Sequence, residues 1–194
     1  MPVLQNNKVK IESTFYITVS CMLLLLPVKL VLCWIISAII HELSHILFIY
    51  FCGGGIRSIS VRATGAVIET DIPDGKKVAL CAIAGPIGGF LILFFRKMFP
   101  VLAVCAAVQS VFNLLPIYPM DGGRVFSYLL TMIPDPVVVK WTQKLVESAI
   151  FAGLILAGFI ALYFGLGPIP LAVTFLFFLR SRKIPCKARQ QIVQ

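Results

Sequence analysis

The run VKLVLCWIISAIIHELSHILFIYFC, from Val28 to Cys52, decides the fold. It is apolar except for Lys29, a few hydroxyls and the cluster His41, Glu42 and His45. The apolar character reaches back to Thr14, broken only at Pro27 and Lys29. As helix, Thr14 to Cys52 would be roughly 60 Å long, two membrane crossings rather than one. Pro27 and Lys29 then mark the hairpin between them.

The rest of the chain is of the same kind. Of 194 residues 59% are hydrophobic and 13% are charged, and the mean hydropathy is +0.98. A soluble domain carries about twice that share of charge. The composition excludes a disordered chain and a soluble globular domain, and points to an all-α polytopic membrane protein. The formal charge of +9 raises nucleic acid as a partner. The cations, however, sit at the ends of apolar runs with no long basic face, which speaks against nucleic-acid binding. Arg180, Arg182, Lys183, Lys187 and Arg189 follow the last apolar run and read as a cytoplasmic, topology-setting cluster against anionic lipid.

Six transmembrane helices are expected, at about 14–27, 29–52, 78–95, 99–115, 141–164 and 169–179. The first is expected to be retained rather than cleaved as a signal peptide, because no small-residue cleavage site follows it. Residues 1–12 are polar. Between the second and third helices, Ser58, Ser60, Arg62 and Thr64 alternate with Ile59, Val61 and Ala63, and Gly65 precedes Val67-Ile68. That period of two predicts a short membrane-associated β-hairpin over 56–70. The third helix carries Gly85-Pro86 and Gly88-Gly89, small residues that permit close helix contact. The segment from Pro116 to Asp135 reads as irregular, then amphipathic. The expected organisation is one domain over 1–194. The cysteines at 21, 33, 52, 81 and 105 lie in or beside apolar runs and form no CxxC pair, so they read as buried free thiols.

Ionisable groups at membrane depth are costly, so each invites a functional reading. The chain's two histidines are His41 and His45, four residues apart with Glu42 beside the first. This is HExxH. Residues i and i+4 share a helical face, so both imidazoles can reach one zinc ion and Glu42 can reach its water. Neutral imidazole suits zinc, and a carboxylate that is not a ligand can take a proton from that water. A catalytic zinc commonly takes a third protein ligand. Asp121, Asp135 and Glu147 are the candidates near the membrane. Asp121 sits among Pro116, Pro119, Gly122 and Gly123, the composition of an unwound backbone lining a cavity. A helix-capping role is its bland alternative. Glu147 suits a helix-entry position.

HExxH in an apolar helix, followed about 75 residues later by Asn113-x-x-Pro116-x-x-Pro119-x-Asp121-Gly122-Gly123, resembles the site-2 protease family of intramembrane zinc metalloproteases. The resemblance covers nearly the whole chain and is nearest to the sporulation branch, stage IV sporulation protein FB. It implies one Zn2+ per chain held by His41, His45 and Asp121, with Glu42 as catalytic acid/base. Asn113 matches the motif asparagine that helps hold substrate or the oxyanion. Ser44 stands where glycine is common and Met120 where leucine is common; neither is a ligand position. No room is expected for a PDZ or CBS domain.

The implied activity is cleavage of a membrane-tethered protein, a pro-sigma or anti-sigma factor, within or beside its membrane segment. The implied partners are that substrate, the lipid bilayer and membrane-embedded inhibitor or activator proteins. The competing reading is a catalytically silent scaffold or transporter with a polar core. A transporter would show paired repeats, and a degenerate protease would have lost Glu42 or a ligand; the chain shows neither. The strand over 58–64 offers an edge on which a helical substrate could be extended, or else merely connects two helices. Six crossings and the basic tail put both termini on the cytoplasmic side of a bacterial cell membrane.

Overall fold

The computed structural model describes residues 8–62, 65–117 and 120–163. The expected sixth helix over 169–179, the basic cluster after it, Thr64 and Pro119 lie outside the described residues. The chain divides into two compact units after Leu115.

The first unit begins with strand β1 (Lys8–Ile11) and helix α1 (Ser13–Leu25), followed by α2 (Val28–Phe51). Strands β2 (Ile56–Arg62) and β3 (Gly65–Thr70) come next, then α3 (Gly75–Leu91), a 3-10 turn at Ile92–Phe95 and α4 (Pro100–Asn113). Pro27 ends α1 and opens α2, as a residue without a backbone donor at a helix start should. At its other end α2 closes in a Schellman motif. Gly53 takes φ +75°, its N–H donates to Tyr50 O and that of Gly54 to Ile49 O, at 3.0 and 2.9 Å. The helix therefore stops within two turns of His45, and the chain turns directly into the sheet.

Helix α3 starts at Gly75, three residues before the expected Val78. The cause is local: the Asp74 carboxylate accepts from Lys76 N–H at 2.9 Å and caps the helix.

Helices α2, α3 and α4 pack against one another. Half of the α3 span is buried, against 22% of the α2 span, so α3 is the inner helix of the three. Small residues make that contact close. A Cβ on Gly88 would meet Ser44 Cβ at 2.7 Å, and one on Gly89 would meet the Ala106 carbonyl at 3.3 Å. Gly85 and Gly89 form the small-xxx-small spacing that lets helix backbones approach in lipid. Two side-chain pairs link α2 to α4: Ser37 with Gln109 and His41 with Asn113. Both pairs step forward by four residues, so α2 and α4 run parallel.

The sheet departs from the expected hairpin. It has three strands in the order β1-β2-β3, with β1 parallel and β3 antiparallel to β2. Strand β1 comes from the polar amino-terminal stretch, where four residues give periodicity little to work on. Glu12 secures it: its N–H donates to Val61 O at 2.9 Å and its carboxylate pairs with Arg62 at 2.8 Å. The alternating strand over 58–64 is therefore the centre of the sheet and offers no edge. Among the described residues, the outer edges of β1 and β3 carry no further strand.

The second unit contains α5 (Asp121–Leu130) and α6 (Pro136–Tyr163). Helix α5 lies within the stretch expected to be amphipathic. Helix α6 starts at Pro136 instead of the expected Trp141, because Asp135 caps it: its Oδ1 accepts from Val137 N–H at 2.8 Å, with Pro at the first helical position. Lys140, Thr142, Gln143 and Lys144 follow its apolar first turn, Pro136-Val137-Val138-Val139, and lower the local hydropathy average over that start.

Among the described residues, three helices are long and apolar enough to cross a membrane: Val28–Phe51, Gly75–Phe95 and Pro136–Ile160. Helices Ser13–Leu25 and Pro100–Asn113 are apolar but shorter. The chain is a mostly helical, multi-pass membrane protein with a small three-stranded sheet.

Candidate metal centre

The buried face of α2 carries Val31, then Ser37, His41, His45 and Ile49 at one residue per turn. It turns two imidazoles inward at the middle of an apolar helix. His41 is 3% exposed and His45 7%.

Each ring is oriented by a neighbour. His45 Nδ1 lies 2.7 Å from the carbonyl oxygen of Cys81 on α3. A carbonyl only accepts, so Nδ1 carries the hydrogen and Nε2 of the neutral ring keeps its lone pair. His45 Nε2 and His41 Nε2 approach to 3.2 Å, with the rings edge to face at 4.8 Å between centroids. Two nitrogens each about 2.0–2.1 Å from one tetrahedral zinc would stand about 3.3–3.4 Å apart. The observed spacing is that of two ligands sharing an ion.

Space for an ion is kept on the α3 side by Gly85. A Cβ there would press on both imidazoles, 2.8 Å from His41 Nε2 and nearer still to His45 Nε2. Gly85 thus leaves the room that the histidine pair fills. Sequence reading treated it as a helix-packing feature. Its contact with the site needed the pairing of α2 and α3.

Asn113, the last residue of α4, brings Nδ2 to 3.2 Å from His41 Nε2. Its amide therefore stands at the rim of the same point. Glu42 lies beside the pair and is half-buried. Its Oε1 accepts from Ala66 N–H at 3.2 Å, and a Cβ on Gly65 would sit 3.4 Å from that oxygen. Gly65 has φ +118°, a conformation that L side chains rarely adopt. Strand β3 thus begins against Glu42. This contact had no signal in the sequence beyond the isolated glycine.

In the second unit, Asp121 is the first residue of α5, is 8% exposed and is followed by buried Gly122 and Gly123. The other two acids near the membrane have local tasks. Asp135 caps α6, and Glu147 accepts from Gln143 at 3.2 Å. In the first unit, two imidazoles that converge on one point are donors suited to zinc.

Comparison with known proteins agrees with this chemistry. The Peptidase family M50 model matches residues 92–158, a stretch that contains Asn113 and Asp121 but not HExxH. A protein of Fusobacterium nucleatum that bears a zinc metalloprotease name is 35% identical over 75 residues, 36% of this chain and 22% of that one. A zinc metalloprotease of Methanocaldococcus jannaschii is 30% identical over 111 residues, 50% of this chain and 32% of that one. The matched stretches span between about a fifth and a third of these curated relatives' length. The solved site-2 protease from Methanocaldococcus jannaschii superposes with a TM-score of 0.64 at 22% identity, over 91% of this chain and 92% of that one. That likeness shows the fold. The M50 model matches about a third of the chain, and both curated relatives bear zinc metalloprotease names.

Proposed function

We propose that the chain is an intramembrane zinc endopeptidase of the site-2 protease type. His41, His45 and Asp121 would hold a single Zn2+, with Glu42 as acid/base and Asn113 contacting the substrate. The observation that carries this reading is the histidine pair. Two imidazole Nε2 atoms stand 3.2 Å apart inside an apolar helix, one tautomer is set by Cys81 O, and a glycine sits where any side chain would collide. A structural histidine pair needs none of this. The fold likeness and the M50 match support the same assignment.

When bound, the ion supplies a Lewis acid and a water whose pKa is lowered to about 7. Glu42 would be the residue that takes a proton from the attacking water and gives it to the leaving amine. Its N–H bond from Ala66 holds one carboxylate oxygen still while the other works. Asn113 places an amide donor where charge develops on the substrate carbonyl.

A substrate that enters as helix hides its peptide bonds and must be drawn out locally. The free edge of β3 is suited to that task. Because Ala66 N–H points to Glu42, away from β2, the same parity turns the N–H and C=O of Ile68 and Thr70 outward. A strand added there ends at Glu42.

The substrate we propose is a membrane-tethered pro-sigma or anti-sigma factor, cut near the cytoplasmic end of its membrane segment. Six crossings of a bacterial cell membrane with both termini cytoplasmic, and regulation by membrane-embedded partner proteins, belong to the same reading. The test is cleavage of a membrane-tethered pro-sigma factor by the purified chain, before and after removal of zinc by a chelator. Zinc-dependent release of a soluble fragment is expected. Cleavage that survives complete zinc removal contradicts the proposal.

A further inference from the structure

One polar pair of the membrane interior has no part in the chemistry above. Ser37 Oγ donates to Gln109 Oε1 at 2.6 Å. Ser37 is 1% exposed and lies about 14 Å along α2 from Val28 and about 21 Å from Phe51. This is mid-span. Gln109 is only half-buried, and its Nε2 has no partner among the described residues.

A primary amide with both hydrogens unpaired is costly in lipid. Helix register needs no such group, since Ser37 could bond to its own helix and α4 could present leucine. The position gives it a use. Ser37 and Gln109 each stand one turn before His41 and Asn113, on helices that run parallel. The pair therefore repeats the α2–α4 contact of the metal centre about 5.4 Å deeper, toward Val28. At about 3.3 Å per residue, an extended chain crossing the centre meets that level one to two residues from the cut.

We infer that Gln109 is a substrate-binding residue, its Nε2 hydrogens taking a backbone carbonyl of the unwound substrate one helical turn deeper than the histidines. Ser37 is its positioning residue, holding Oε1 so that the donors face the substrate. The inference rests on the protease reading. A substrate unwound within the membrane loses its internal hydrogen bonds and must find replacements where water is scarce. Gln109 offers two donors at that depth and reads no side chain, so it serves any sequence.

The test compares Gln109→Leu, Ser37→Ala and wild type in proteoliposomes. One probe is a transmembrane segment that wild type cleaves. The other is a soluble peptide from the same cut site, truncated directly beyond it on the deep side. Gln109→Leu should raise KM for the long substrate about tenfold, with kcat within about twofold and zinc content unchanged. The truncated peptide should be cut as by wild type. Ser37→Ala should shift KM the same way by a smaller factor. Two results overturn the inference alone: wild-type KM for the long substrate in Gln109→Leu, or equal losses on both substrates together with lost zinc, which mark a mere helix clamp. A zinc-loaded wild-type chain that cuts no membrane segment overturns the protease reading, and this inference with it.

Discussion

Replacing Glu42 by glutamine keeps the side chain's length and its bond from Ala66, and removes only its basicity. Zinc content should be unchanged and turnover should fall by at least about a hundredfold, as loss of a general base does. Retention of more than a few per cent of wild-type turnover would remove Glu42 from the mechanism. The third ligand is tested by contrast. Asp121→Asn should lower zinc occupancy and activity together, because a neutral amide is a poorer ligand than a carboxylate. Glu147→Gln should hold zinc like wild type. The opposite outcome identifies Glu147 as the ligand. Gly85→Ala adds one methyl group where both imidazole nitrogens already stand, and should cost tenfold or more in zinc affinity while the helical circular-dichroism signal persists. Residues with unusual chemistry were legible in the sequence. Two histidines and a glutamate in an apolar helix leave few alternatives. Gly85 and Gly65 were not, since a glycine's meaning depends on which atoms stand in front of it.

At the scale of elements, β3 makes a prediction through its parity. Ile68→Pro removes an N–H that faces the free edge and leaves the β2–β3 ladder whole. Val67→Pro removes an N–H that points at β2. The first should raise KM severalfold with little loss of thermal stability; the second should lower stability first. Equal behaviour of the two variants would mean that the edge plays no part in binding substrate. Long apolar runs foretold helices well, and alternation foretold β2 and β3. What escaped was β1, whose four residues pair with a strand about fifty positions away. The early start of α6 escaped too, since the apolar turn after its capping aspartate is cut off from the later apolar run by Lys140, Gln143 and Lys144. Both are tertiary or capping effects that no local hydropathy average contains.

For the whole molecule, the proposed topology has α2 and α4 running inward together. A single cysteine at position 74, in a background without native cysteines, should be shielded from an impermeant thiol reagent in intact cells. One at position 97 should be labelled. The reverse pattern would turn the molecule over and move the cut to the other face of the membrane. The account as a whole stands on one ion held by the α2 histidines. Its most direct measurement is the zinc stoichiometry of the purified full chain beside His45→Ala and Glu42→Gln. The prediction is one zinc per chain for wild type and Glu42→Gln and near none for His45→Ala, with all three folded alike. Zinc retained in full by folded His45→Ala, or missing from wild type after purification with added zinc, contradicts it.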